Sequence, residues 1–146
     1  MARYHNICDI NSKPKPVALV VDDESIFRDI ISLSLVGGGY SVILAEDGRM
    51  AVERVAEFKP DLVIMDVRMP VMDGLEATRR IRALDGQISR IPILGFSGLD
   101  APEDRQNCFE AGMNNLVSKC GGVETLMAIL KQYVTAPNQE GETKPS

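Results

Sequence analysis

Five polar residues in this chain of 146 stand directly after short apolar runs or one place beyond them. Asp22 and Asp23, with Glu24 behind them, come after Val17-Ala18-Leu19-Val20-Val21. Asp66 comes after Leu62-Val63-Ile64-Met65, Ser97 after a run ending in Phe96, and Lys119 after Leu116-Val117-Ser118. If those runs are strands of one parallel sheet, three aspartates, a hydroxyl and an amine surround one crevice. Two carboxylates ~4 Å apart repel by roughly 4 kcal/mol at an effective dielectric of ~20. Three such groups must take up protons, spread apart or bind a metal, and oxygen ligands of this kind suit Mg²⁺. With Lys119 as a second positive charge, the crevice can hold a phosphoryl group. Ser97 donates a hydrogen bond to it while one carboxylate attacks in line, giving an aspartyl phosphate.

The elements that must position these groups alternate regularly. Continuous apolar runs predict strands at 17–21 and 62–65, and further strands are expected at 40–44, 91–96 and 116–118. Between them lie helical patterns. Residues 25–36 carry Ile26, Phe27, Ile30, Ile31, Leu33 and Leu35, closed by Gly37-Gly38-Gly39. Residues 48–58 place Met50, Ala51, Val55 and Phe58 on one face, and Lys59-Pro60 stops them. Residues 74–84 space Leu75, Thr78, Ile81 and Leu84 helically, with Arg79, Arg80 and Arg82 on a wet face. A fourth helix starts at Asp100-Ala101-Pro102-Glu103, with Asp100 as N-cap. Val123, Leu126, Met127, Leu130 and Tyr133 mark the last helix. The sum is an α/β fold, a doubly wound (βα)5 five-stranded parallel sheet of the flavodoxin-like type. Its expected strand order is 2-1-3-4-5, with the site at the carboxyl ends of the central strands.

Composition narrows the function. The chain has 16 basic and 21 acidic residues, net −5. Residues 1–16 and 137–146 read as flexible tails around one domain at 17–136. Without the tails the balance is 12 basic to 18 acidic, a poor surface for nucleic acid. No apolar run reaches the ~18–20 residues of a membrane span, and no secretory signal follows Met1. Three cysteines without framework spacing read as reduced thiols in a cytoplasmic protein, Cys108 as a small core residue.

The motifs together resemble the receiver domain of two-component response regulators, over about residues 16–135. The resemblance rests on Val20-Val21-Asp22-Asp23-Glu24, Met65-Asp66-Val67-Arg68-Met69-Pro70 with Met72-Asp73-Gly74, Phe96-Ser97-Gly98, and Ala111-Gly112-Met113-Asn114 leading to Lys119. It implies that Asp66 is the phosphoacceptor, that Asp22, Asp23, Asp66 and the main-chain carbonyl of Arg68 hold Mg²⁺, that Ser97 is a switch hydroxyl and that Lys119 pairs with phosphoryl oxygen. It further implies phosphotransfer from a histidine kinase or histidine phosphotransfer protein. Output would pass to a protein effector through the fourth helix, fifth strand and fifth helix. The expected type is a stand-alone receiver that catalyses only its own phosphorylation and dephosphorylation.

Two positions depart from the family pattern. Cys120 follows Lys119 where proline is usual, so a trans Lys119–Cys120 bond is expected. Leu116 stands where the family often has an aromatic coupled to the switch hydroxyl. These departures keep open a phosphate-independent binding module. A phosphate sink or a hybrid-kinase receiver would share the receiver's own chemistry. An aspartate-nucleophile phosphatase of the haloacid dehalogenase type wants a second Asp where Arg68 stands. A flavin phosphate would be repelled by Asp22-Asp23-Glu24.

Overall fold

The strands form where β-branched and aliphatic residues run without interruption. In a computed structural model, which describes residues 14–98 and 102–134, β1 is Val17–Val21, β2 Ser41–Ala45, β3 Leu62–Met65, β4 Ile93–Ser97 and β5 Asn115–Ser118. All four pairings are parallel and the order is β2-β1-β3-β4-β5, as the alternation of elements predicts. Such a sheet needs apolar cover on both sides, and β3 and β4 are buried at every position.

The helices are α1 (Ser25–Gly37), α2 (Gly48–Phe58), α3 (Gly74–Arg82), α4 (Pro102–Ala111) and α5 (Gly122–Leu130). Alternate strand residues point to opposite layers. Leu19, Val21, Val63, Met65 and Ile93 meet Ala51 and Val55 of α2, Ala77 and Ile81 of α3 and Cys108 of α4. Ala18, Val20, Leu62, Ile64, Leu94 and Phe96 meet Ile31 and Leu35 of α1 and Leu126 and Leu130 of α5. The expected cap Asp100, residues 1–13 of the expected N-terminal tail and the expected tail 137–146 lie outside the described residues. Among the described residues no helix is long and apolar enough to cross a membrane.

Several expectations shift in detail. The second strand begins at Ser41 rather than residue 40, because the Tyr40 N–H closes the end of α1 on the Leu35 carbonyl. The fourth begins at Ile93, because a 3-10 turn, Gln87–Arg90, precedes it. The third helix ends at Arg82 rather than residue 84. Ile26, Ile30 and Leu33 of α1 and Phe58 of α2 face outward. Of the three arginines read as a wet face, Arg79 and Arg80 do pair with Glu76 on the surface. Arg82 does not belong with them. Its guanidinium donates to the carbonyls of Gly112, Ser89 and Ile91 and to Asn114 Oδ1, at 2.7–2.9 Å. That ties α3 to the amino ends of β4 and β5.

Candidate functional site

Strand register brings the chemistry to one edge. Val21 pairs with Met65 and Met65 with Gly95, while Ser97 pairs with Ser118. Asp22 and Asp66 are therefore the first residues past neighbouring strands. Lys119 is the first past β5, and Ser97, 2% exposed, closes β4 beside it. The Asp66 N–H donates to Val21 O at 2.9 Å and the Asp22 N–H to Ala45 O at 3.2 Å, extending the ladder into the site.

Carboxylate oxygens of Asp22, Asp23 and Asp66 all lie within 4.8 Å of one another. Asp22 and Asp66 are buried and Asp23 is exposed. Lys119 Nζ lies 2.9 Å from Asp22 Oδ2 and 3.5 Å from Asp66 Oδ2. The other oxygen of each buried acid accepts a main-chain N–H: Glu24 onto Asp22 Oδ1 at 2.9 Å, Val67 onto Asp66 Oδ1 at 2.8 Å. Burial, then the charge of Asp22, push the Asp66 carboxyl up to about 6, against the pull of Lys119 and the Val67 N–H. Burial alone would push the Lys119 ammonium down. Its hydrogen bond to Asp22 and the charges of Asp66, Asp22 and Glu24 outweigh that and hold it above its ordinary value.

The first turn of α3 braces the acid loop. The Gly74 N–H donates to Val67 O at 2.8 Å, and a Cβ at Gly74 would run into the main-chain oxygen of Asp66. Asp73 caps this helix, its carboxylate accepting from the Glu76 N–H at 2.9 Å. Arg68 sits between, its side chain exposed, on a cavity of ≈ 330 Å³ that it shares with Asp73, Asp104 and Asn107. The peptide bond after Lys119 is trans, as expected, and a 3-10 turn, Lys119–Gly121, follows β5. Leu116 is 3% exposed and lies in the core layer over Gly95.

Two residues at the site were not singled out for it by sequence. Arg28 donates to the Asp22 main-chain carbonyl at 2.6 Å, and the Phe27 ring lies against Lys119. Both stand on the first turn of α1, four and five places after Asp23. That spacing is the signal, but Phe27 fits the apolar pattern of the helix equally well.

Three hard carboxylate oxygens this close fit a small divalent cation. Mg²⁺ binds oxygen at about 2.0–2.1 Å, so opposite ligands stand about 4 Å apart. Lys119 supplies a second fixed cation.

Residues 18–131 match the family model described as response regulator receiver domain. The chain is 38% identical over 113 residues to response regulator MprA of Mycolicibacterium vanbaalenii, covering 77% of this chain and 48% of that protein. It thus spans about half the length of that relative. Among solved structures, the receiver domain of sensor histidine kinase PA1611 from Pseudomonas aeruginosa is 35% identical with a TM-score of 0.75. That alignment covers 82% of this chain and 97% of that one, and the PA1611 domain holds a magnesium ion in its active site cleft. Vibrio cholerae chemotaxis protein CheY4 is 32% identical with a TM-score of 0.77, covering 82% and 99%.

Proposed function

This chain belongs to the response regulator receiver domain family, and on that premise we propose that it takes a phosphoryl group from a phosphohistidine protein onto Asp66. The observation that carries the reading is the cluster of Asp22, Asp23 and Asp66 with Lys119 between two of them. Chemistry in this family is confined to the chain's own aspartyl phosphorylation and dephosphorylation.

Asp66 Oδ1 is occupied by the Val67 N–H, so Oδ2, beside Lys119, is the oxygen that attacks phosphorus. The O–P bond forms as the P–N bond to the donor imidazole breaks, and the imidazole keeps that electron pair. Asp22, Asp23, Asp66 and the Arg68 carbonyl would hold Mg²⁺, which when bound neutralises phosphoryl oxygens. The magnesium ion in the active site cleft of the similar PA1611 receiver supports this choice of ion. Lys119 pairs with a further phosphoryl oxygen, and Ser97 donates its hydroxyl to another.

The donor is a histidine kinase or a histidine phosphotransfer protein, met in the cytoplasm. The receiver passes its state to a protein effector across α4, β5 and α5. Phe109 of α4, 44% exposed, supports that face. The membership of a histidine kinase receiver among the similar structures keeps a hybrid-kinase or sink role within the same chemistry.

Intact-mass spectrometry after incubation with acetyl phosphate tests the reading. One added phosphoryl group is expected, dependent on Mg²⁺ and absent from Asp66→Asn. A folded chain that binds Mg²⁺ yet never gains the adduct would overturn it in favour of a phosphate-independent binding module.

A further inference from the structure

A lysine carries its charge on a flexible four-carbon stem, so the place of Lys119 Nζ is set by what its end touches. Its side chain is only 13% exposed. Two of its contacts are the carboxylates of Asp22 at 2.9 Å and Asp66 at 3.5 Å. Both change during the proposed reaction: Asp66 becomes an acyl phosphate, and Asp22 belongs to the set that would hold the cation. A third contact takes no part in that chemistry. Nζ lies 4.0 Å from the centroid of the Phe27 ring, well inside the ~6 Å over which a cation is attracted to an aromatic face.

Phe27 reaches the site from a different direction than the acids. It stands on α1, half-buried against the layer that contains Val20, Ile31 and Phe96. The same turn is fastened to the site by Arg28, which donates to the Asp22 carbonyl. The ring is thus fixed by core packing and by α1, independently of the charge state of the edge.

We propose that Phe27 is a positioning residue, whose ring face holds the Lys119 ammonium beside Asp66 while the carboxylates change partners. The proposal rests on the phosphoacceptor reading for its role, and on the ring contact alone for its geometry.

Two measurements test it separately. In the NMR spectrum of the native chain, the Lys119 ε-methylene protons should be displaced upfield by the ring current. The displacement should vanish in Phe27→Leu and persist in Phe27→Tyr. Phosphorylation by acetyl phosphate should slow about three- to tenfold in Phe27→Leu and stay within about twofold in Phe27→Tyr, the range expected for loss or retention of a cation–π contact. In a Lys119→Ala background, Phe27→Leu should cause no further slowing. Ordinary Lys119 shifts in the native chain would overturn the proposal, whether or not Phe27→Leu folds. So would a native rate in Phe27→Leu, or equal slowing with and without Lys119, which would make Phe27 a packing residue only. If the native chain and Asp66→Asn both stay unmodified, the phosphoacceptor reading fails instead, and the ring-current result still decides the contact.

Discussion

Burial and the charge of Asp22 push the Asp66 carboxyl from 3.8 up to about 6, and the consequence for stability has a definite sign. Between those values the folded chain holds more proton on Asp66 than the unfolded chain does. Stability therefore falls as pH rises from about 4 to about 6 in the absence of Mg²⁺. A displacement of that size is worth roughly 3 kcal/mol at most. Asp66→Asn keeps an oxygen for the Val67 N–H and removes the ionisation. It should flatten this slope and add roughly 1–3 kcal/mol at pH 7 in chelator-treated buffer, read by urea denaturation at several pH values. An unchanged slope in Asp66→Asn would assign the pH dependence elsewhere. Lys119 does not interfere, because its raised pKa removes stability only above its ordinary 10.5. Asp22 and Asp66 were legible in the sequence because each ends an apolar run abruptly with a charge, and Asp23 and Lys119 because they follow one place later. Arg28 was not, because its partner is the main-chain carbonyl of Asp22, which carries no residue-type signal. Phe27 was hidden for the opposite reason: an aromatic at that place satisfies the helix pattern whether or not it meets a lysine.

The elements were legible wherever the apolar pattern itself ends them. β1, α2 and β3 fall where the runs and the Lys59-Pro60 stop put them, with Lys59 in the left-handed conformation at φ 50°. The ends set by hydrogen bonds were not. Tyr40 closes α1 instead of opening β2, and Ile91 donates into the preceding 3-10 turn instead of the ladder. Arg82 is the strongest case, since helical spacing alone puts it on a solvated face with Arg79 and Arg80. Its fork instead satisfies three carbonyls and Asn114, whose side chain in turn accepts from the Ile93 N–H at 2.8 Å. Hydrogen bonds to charged groups are worth about 1.5–3 kcal/mol each, and stranded buried acceptors add a penalty. Arg82→Ala should lower unfolding free energy by about 2–4 kcal/mol, and Arg82→Lys should recover less than half, lacking the planar fork. These contacts lie at the amino ends of β4 and β5, whereas the site lies at the carboxyl ends. Acetyl phosphate should therefore modify the folded Arg82→Ala chain at the native rate. A slowed reaction below its unfolding temperature would show that α3 couples the two edges.

At the scale of the whole molecule, the carboxyl edge joins parts of the chain far apart in sequence. Asp22 and Asp23 follow β1, Asp66 follows β3 and Lys119 follows β5. An ion that binds this edge binds only the folded sheet, because the unfolded chain scatters its ligands. Binding of that kind stabilises the whole fold, by about 2.7 kcal/mol at a hundred times the dissociation constant. A second effect points the same way, since any cation relieves self-repulsion in a chain of net charge −5. The two separate by saturation, pH and residue. Site binding should raise the unfolding temperature with MgCl2 well beyond NaCl of equal ionic strength, and the gain should shrink below pH 6 as Asp66 takes up its proton. Asp23→Asn should lose most of it, although Asp23 is exposed and its charge leaves the core untouched. General screening would treat the two salts alike at equal ionic strength and would leave Asp23→Asn with nearly the native response. In that outcome Lys119, paired with Asp22 and Asp66, would be the cation that holds the edge together.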